Sequence, residues 1–191
     1  MPSRLPSHVR ERLTPIRMLV LDVDGVLTDG SLHYSPGGEE VKQFSVRDGL
    51  AIRMLLEAGI TVAIITGRSS QALTMRCTDL GLDPELVIQG SGNKRADLVR
   101  LMKELGLSGP EVAVMGDDLP DLPMIEMAGC SACPSDAVPE VIAACDVVCG
   151  APGGRGAVRE LAELLLKAQQ RWQEQVGRWL GPEVPEESGD S

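Results

Sequence analysis

Arg17-Met18-Leu19-Val20-Leu21-Asp22-Val23-Asp24-Gly25 is the stretch from which the rest of this sequence can be read. Residues 17–22, with an apolar run that shows no polar alternation, read as a short buried strand. The run ends in a carboxylate, Asp22. A second carboxylate follows at Asp24, and Gly25 then opens a turn.

Reading outward, helix-length amphipathic segments alternate with short apolar runs. Residues 31–45 carry Leu32-His33-Tyr34, a Pro36-Gly37-Gly38 turn and Val41-Lys42-Gln43-Phe44, a pattern that predicts a hairpin or flap. Asp48 can cap a helix with Ile52, Leu55 and Leu56 on one face, stopping near Gly59. A strand at 60–65, a helix at 69–80 ending at Gly81, a strand at 86–88 and a helix at 94–105 ending at Gly106 come next. A strand at 112–115 and a helix at 119–128 follow, then shorter units at 130–133, 138–143 and 147–148. One final helix runs from about residue 157 into the Trp172 region.

This alternation predicts an α/β fold: a doubly wound, Rossmann-like, mainly parallel sheet with helices on both faces and right-handed crossovers. At 191 residues the chain suits one domain, placed at 15–180. Residues 1–14 read as an N-terminal extension, and 181–191 as a mobile acidic, Pro-containing tail. No internal repeat is present.

Aromatic residues are only 2% of the chain, so the core must be aliphatic. No apolar run approaches the roughly 20 residues that span a bilayer, and the N-terminus has no hydrophobic signal region, so the expected location is the cytoplasm. A formal net charge of −10 argues against nucleic acid as a partner. Arg47, Arg53, Arg68 and Arg76 nevertheless gather in one stretch. They are either solvated helix arginines or a reader of an anionic small molecule, since guanidinium matches carboxylate and phosphate. The five cysteines include Cys130-x-x-Cys133 and Cys145-x-x-x-Cys149. Positions i and i+3 of a strand point to opposite faces, so buried thiols are expected there rather than a zinc site.

In doubly wound sheets, ligands bind beyond the carboxyl ends of the strands. Four polar clusters fall there: Asp22-Val23-Asp24-Gly25, Thr66-Gly67-Arg68, Asn93-Lys94 and Gly116-Asp117-Asp118. Clustered carboxylates repel unless a cation joins them, and Mg2+ suits carboxylate and carbonyl oxygens beside a phosphate. A carboxylate nucleophile is reasonable for phosphoryl transfer. Lysine and hydroxyl groups would offset and orient the charge of the transferring group. The only histidines are His8 and His33, neither placed at this rim, so the proton shuttle falls to a second carboxylate, Asp24.

These four clusters, in this order, resemble the motifs of the haloacid dehalogenase superfamily. The resemblance implies Asp22 as nucleophile and magnesium ligand, and Asp24 as general acid/base and metal ligand through its main-chain carbonyl. It implies Thr66 and Lys94 as phosphoryl-binding catalytic residues, Asp117 as the third metal ligand, and Asp118 and Asp121 as supports of the metal site. A finer resemblance covers roughly residues 14–175. Residues 21–30, Phe44-Ser45-Val46-Arg47-Asp48-Gly49, Ile65-Thr66-Gly67-Arg68, residues 116–121 and Gly153-Gly154-Arg155-Gly156-Ala157-Val158-Arg159-Glu160 are similar to the 3-deoxy-D-manno-octulosonate 8-phosphate phosphatase family. These are capless enzymes that release the phosphate of an eight-carbon sugar acid for lipopolysaccharide synthesis. The substrate contacts so implied are Ser45, Val46, Arg47, Asp48, Gly49, Arg53, Arg68, Arg76 and Lys94. Ser45 departs from the usual Asn of that family. The gaps between motifs hold no cap domain, and the family covers its open site by forming a homotetramer. Two other readings stand beside this one. The first is a phosphatase for a nine-carbon 2-keto acid phosphate of the sialic-acid type. The second is a non-catalytic oligomerisation or receiver-like module. Motif order speaks against a receiver, since Asp117-Asp118 follows Lys94 instead of preceding it.

Overall fold

The computed structural model describes residues 6–36 and 40–180. The first half contains α1 (Ser7–Leu13), β1 (Met18–Leu21), β2 (His33–Tyr34), β3 (Glu40–Val41), α2 (Val46–Glu57), β4 (Thr61–Ile65), α3 (Gln71–Leu80) and β5 (Val87–Ile88). The second half contains α4 (Lys94–Glu104), β6 (Val112–Met115), α5 (Leu122–Ile125), β7 (Cys130–Cys133), α6 (Pro139–Ala144), β8 (Val147–Val148), α7 (Ala157–Ala168) and α8 (Trp172–Leu180).

The six-stranded sheet has the order β5-β4-β1-β6-β7-β8. Every pairing in it is parallel, and β1 sits between β4 (Met18 opposite Thr61) and β6 (Met18 opposite Val112). Its position inside the sheet explains why all four of its residues are buried. The side chains of β1 alternate between two apolar layers. Leu19 and Leu21 join the layer under α1, α2, α3 and α7, whereas Met18 and Val20 join the layer under α4, α5 and α6. Helices on both faces of a parallel sheet are the predicted architecture, and no cap domain is present among the described residues. The connection after β1 holds only the small antiparallel pair β2–β3. The expected Pro-Gly-Gly turn of this flap falls partly outside the described residues, as does the acidic tail at 181–191.

Several boundaries differ from expectation for local reasons. The N-cap of α2 is Ser45, whose hydroxyl accepts from the Asp48 N–H, so Asp48 does not cap its own helix. The helix expected over 119–128 is a 3-10 turn at Leu119–Asp121 followed by the four residues of α5. Pro120 and Pro123 remove the N–H groups that a longer helix would use. The single C-terminal helix is two, because Gln170 adopts a left-handed φ of 60° and the Gln169 side chain donates to the carbonyls of Leu13, Thr14 and Ile16. Within 1–14, α1 buries Val9 and Leu13 and packs on α7 and β7.

The cysteines divide across the sheet. Cys130 and Cys149 lie in one apolar layer, and Cys133 lies in the other with Cys145 packed against it, so the four cannot converge on one ion. Burial pushes the thiols of Cys130 and Cys149 up to about 12.

Candidate active site

Each of the four polar clusters stands where a strand gives out. Asp22 follows β1 directly, and its N–H donates to the Met115 carbonyl at the end of β6 (3.0 Å). Thr66 follows β4 and donates its N–H to Ile88 O (3.0 Å). Lys94 opens α4 behind the N-cap Asn93, whose side chain accepts from Ala96 N–H (3.1 Å). Asp117 and Asp118 follow β6 after Gly116. The parallel sheet therefore brings residues from 22 to 121 to one edge.

At the centre, Lys94 Nζ bridges Asp22 Oδ1 (2.8 Å) and Asp121 Oδ1 (2.6 Å), and all three side chains are below 10% exposed. The other Asp121 oxygen accepts from the N–H groups of Asp117 (3.0 Å) and Asp118 (3.4 Å). Both Asp121 oxygens are thus engaged in holding the loop and the lysine. Asp117 is arranged differently: its buried Oδ1 has no hydrogen-bond partner. Asp22, Asp117 and Asp121 each offer an oxygen within 4.8 Å of the others. An orphaned carboxylate oxygen beside two further carboxylates is a donor set that fits a hard divalent cation.

The loop after Asp22 fits closely around this group. Gly25 has φ +93°, and a Cβ there would lie 1.9 Å from Asp117 Oδ2. Only glycine lets the backbone of the acidic loop approach Asp117 so closely.

The electrostatics carry the cost of this crowding. Burial, then the charge of Asp121, push the Asp22 carboxyl up to about 6 against the opposing pull of Lys94. Burial, then Asp121, Asp22 and Asp118, push Asp117 up to about 7. Burial pulls Lys94 down, but Asp22 and Asp121 outweigh it and the net shift is upward. One lysine does not neutralise the three carboxylates, which is the condition a bound cation would relieve.

Asp24 sits at the outer side of this group under the flap. Its Oδ1 is paired with the ammonium of Lys42, whose side chain is 2% exposed, and Arg68 Nε lies 3.8 Å from its Oδ2. Arg68 also donates to the Tyr34 hydroxyl of β2 (2.9 Å). The flap thus reaches the acid directly through Lys42, just past β3, and indirectly through the Tyr34 contact with Arg68. Lys42 is absent from the residues singled out in the sequence, because nothing in a lysine beside a short strand marks it as buried. Its one visible signal is a cation placed inside the segment between the first motif and residues 45–49.

The other expected contacts separate into groups. Thr66 is buried at the rim, with its hydroxyl 3.4 Å from Arg68 N–H. Asp118 is exposed and caps the 3-10 turn through Leu119 N–H (2.7 Å). Arg76 reaches from α3 to the Ser45 carbonyl (3.1 Å) and lies over the Phe44 ring, so it braces the start of α2. Asp48 is 1% exposed, with its carboxylate bonded to Gly156 and Arg159 N–H groups. Val46, Arg47 and Arg53 are exposed on α2.

The sequence profile of the haloacid dehalogenase-like hydrolases matches residues 85–160. The 3-deoxy-D-manno-octulosonate 8-phosphate phosphatase of Salmonella typhi is 44% identical over 172 residues, covering 90% of each chain. That of Escherichia coli K12 is 45% identical over 163 residues, covering 85% of this chain and 86% of the relative. Among solved structures, the Moraxella catarrhalis phosphatase of the same name, in complex with magnesium, phosphate and the KDO molecule, superposes with a TM-score of 0.88. It is 38% identical and is covered to 99%, with 92% of this chain aligned. The chain belongs to the haloacid dehalogenase-like hydrolases, and within them to the family of the 3-deoxy-D-manno-octulosonate 8-phosphate phosphatases.

Proposed function

We propose that this chain is a magnesium-dependent phosphomonoesterase that hydrolyses 3-deoxy-D-manno-octulosonate 8-phosphate to the free sugar acid and phosphate, a step of lipopolysaccharide precursor synthesis. The observation that carries the reading is the Asp22–Lys94–Asp121 bridge beside the orphaned Asp117 oxygen, in a chain of this family. Asp22, Asp117 and the main-chain carbonyl of Asp24 would hold Mg2+, with Asp118 and Asp121 orienting its waters, and the ion would offset charge on the phosphoryl oxygens.

Asp22 is the nucleophile: one carboxylate oxygen forms a bond to phosphorus as the bond to the sugar oxygen breaks, giving an aspartyl phosphate. Asp24 donates its proton to the departing sugar oxygen. It then takes a proton from water, whose oxygen attacks phosphorus and releases Asp22. Lys94 holds the nucleophile in place, and with three N–H donors it has one beyond those given to Asp22 and Asp121 to offer a phosphoryl oxygen. Thr66 supplies a hydroxyl at the same rim. Arg68 pairs with the substrate carboxylate, while Ser45, Val46, Arg47, Gly49, Arg53 and Arg76 form or brace the sugar site.

An open, capless site excludes water poorly. A homotetramer in which a neighbouring subunit covers each site answers that need. A cytoplasmic location suits a sugar-phosphate substrate, and no helix of the described residues is long and apolar enough to cross a membrane.

The test is phosphate release from the eight-carbon substrate by purified protein with Mg2+ and with a chelator. Release that depends on the metal is expected. Undiminished release in chelator would overturn the metal assignment, and no release would overturn the substrate.

A further inference from the structure

The Asp48 carboxylate lies far along the chain from the residues it binds. Its Oδ2 accepts from Gly156 N–H (3.0 Å) and its Oδ1 from Arg159 N–H (2.8 Å). These are the N-cap and third-position donors of α7, which no side chain of α7 itself satisfies. A buried carboxylate on two helix-terminal N–H groups is a strong, charge-assisted cap. It ties the first turn of α2 to the loop at 150–156.

That loop rests on the nucleophile's own turn. A Cβ on Gly153 would lie 1.9 Å from the Gly25 carbonyl oxygen, and Gly154 N–H donates to Val26 O (2.9 Å). The loop is pinned elsewhere as well: Gly153 N–H donates to Asp136 Oδ1 (2.9 Å), and Glu160 Oε2 accepts from Gly150 and Ala151 N–H (2.9 and 3.2 Å). Gly25 in turn presses against Asp117. A continuous line of contacts therefore runs from Asp48 through the α7 N-terminus and Gly153 to Gly25 and Asp117.

We infer that Asp48 is a positioning residue for phosphoryl transfer: by capping α7 it holds the Gly153–Gly154 loop against Gly25, and so fixes the Asp22–Asp24 turn relative to Asp117. Its carboxylate is committed to the two N–H groups and does not read the sugar. This inference rests on the phosphatase reading but not on the identity of the sugar, because a misplaced turn slows every phosphate ester.

The test uses the full chain at saturating Mg2+, with an aryl phosphate and the eight-carbon sugar-acid phosphate as paired substrates. Asn in place of Asp48 keeps one acceptor and sets an NH2 group against the second N–H. Asp48→Asn is expected to lower kcat on both substrates by a similar factor, on the order of tenfold to a hundredfold. The KM for the sugar substrate should change little. Gly153→Ala, which places a methyl against Gly25, is expected to lower kcat on the aryl phosphate as well. Circular dichroism melting establishes that each variant is folded at the assay temperature. If Asp48→Asn does not fold, Asp48→Glu, which keeps both carboxylate acceptors at a shifted reach, carries the same comparison. A loss confined to the sugar acid, or unchanged aryl phosphate turnover, would overturn the inference. A wild type inactive on both esters would instead overturn the phosphatase reading on which it rests.

Discussion

Asp22 and Asp117 sit in the same cluster and have different partners, and this separates their roles. Asp22 is held by Lys94 (2.8 Å), as the proposed nucleophile would need to be, whereas the Asp117 Oδ1 oxygen has no partner. Asp22→Asn should abolish turnover of any phosphate ester while leaving the melting temperature close to that of the wild type, since the amide keeps the shape but cannot attack phosphorus. Turnover and melting curves of the purified variant check this. The pH behaviour has a definite sign. Two carboxyls raised to about 6 and about 7 from 3.8 hold protons in the metal-free native state that the unfolded chain has already released. Between about pH 4 and about pH 7 the metal-free protein therefore loses stability as pH rises. Metal binding requires the deprotonated carboxylates. The Mg2+-induced rise in melting temperature should accordingly be larger near pH 8 than near pH 5, and Asp117→Asn should remove most of it. An equal rise at both pH values in the wild type would contradict the cluster as the metal site.

The elements show where local signals suffice and where they do not. Buried strands ending in acids, and helices closed by Gly59, Gly81 and Gly106, all of which have positive φ, are written within a few residues of where they occur. All seven strands and helices between β1 and β6 were therefore legible, the two strands of the flap among them. The gathering of Asp22, Lys94 and Asp117 at one edge was legible too, because the loops that follow parallel strands all fall there. What remained hidden depends on distant partners. α1 gives no sign in its own seven residues that α7 and β7 await it. The joint at Gln169–Arg171 exists because Gln169 meets three carbonyls more than 150 positions away. Asp48, an ordinary first-turn acid by position, serves another helix. Leu13 is fully buried, so Leu13→Ala should cost about 2 to 5 kcal/mol in chemical denaturation; a neutral result would mean that α1 does not dock. Lys42 carries the flap's contact with Asp24. Lys42→Met should lower kcat/KM for the sugar acid by roughly tenfold, the effect of losing about 1.4 kcal/mol. An unchanged value in steady-state kinetics would remove the flap from the active site.

For the molecule as a whole, the parallel sheet gathers the polar clusters at one edge, and no cap domain covers that edge among the described residues. Under the proposed homotetramer, selectivity for a small substrate would come from the flap and from a neighbouring chain. Equilibrium sedimentation should accordingly give four times the 20.4 kDa chain mass, and a monomer of full activity would show that no neighbour is needed. The acidic surface, with a formal net charge of −10, repels polyanions in general. Under the proposed function, Arg68 and Lys42, gathered around Asp24, would supply the local positive charge that draws one small anion. The measurement that bears most directly on this account is the ratio of kcat/KM, with Mg2+, for the eight-carbon 2-keto acid phosphate against its nine-carbon analogue and a hexose phosphate. The account predicts strong preference for the eight-carbon acid over both. Equal or better hydrolysis of the nine-carbon or hexose phosphate would contradict it.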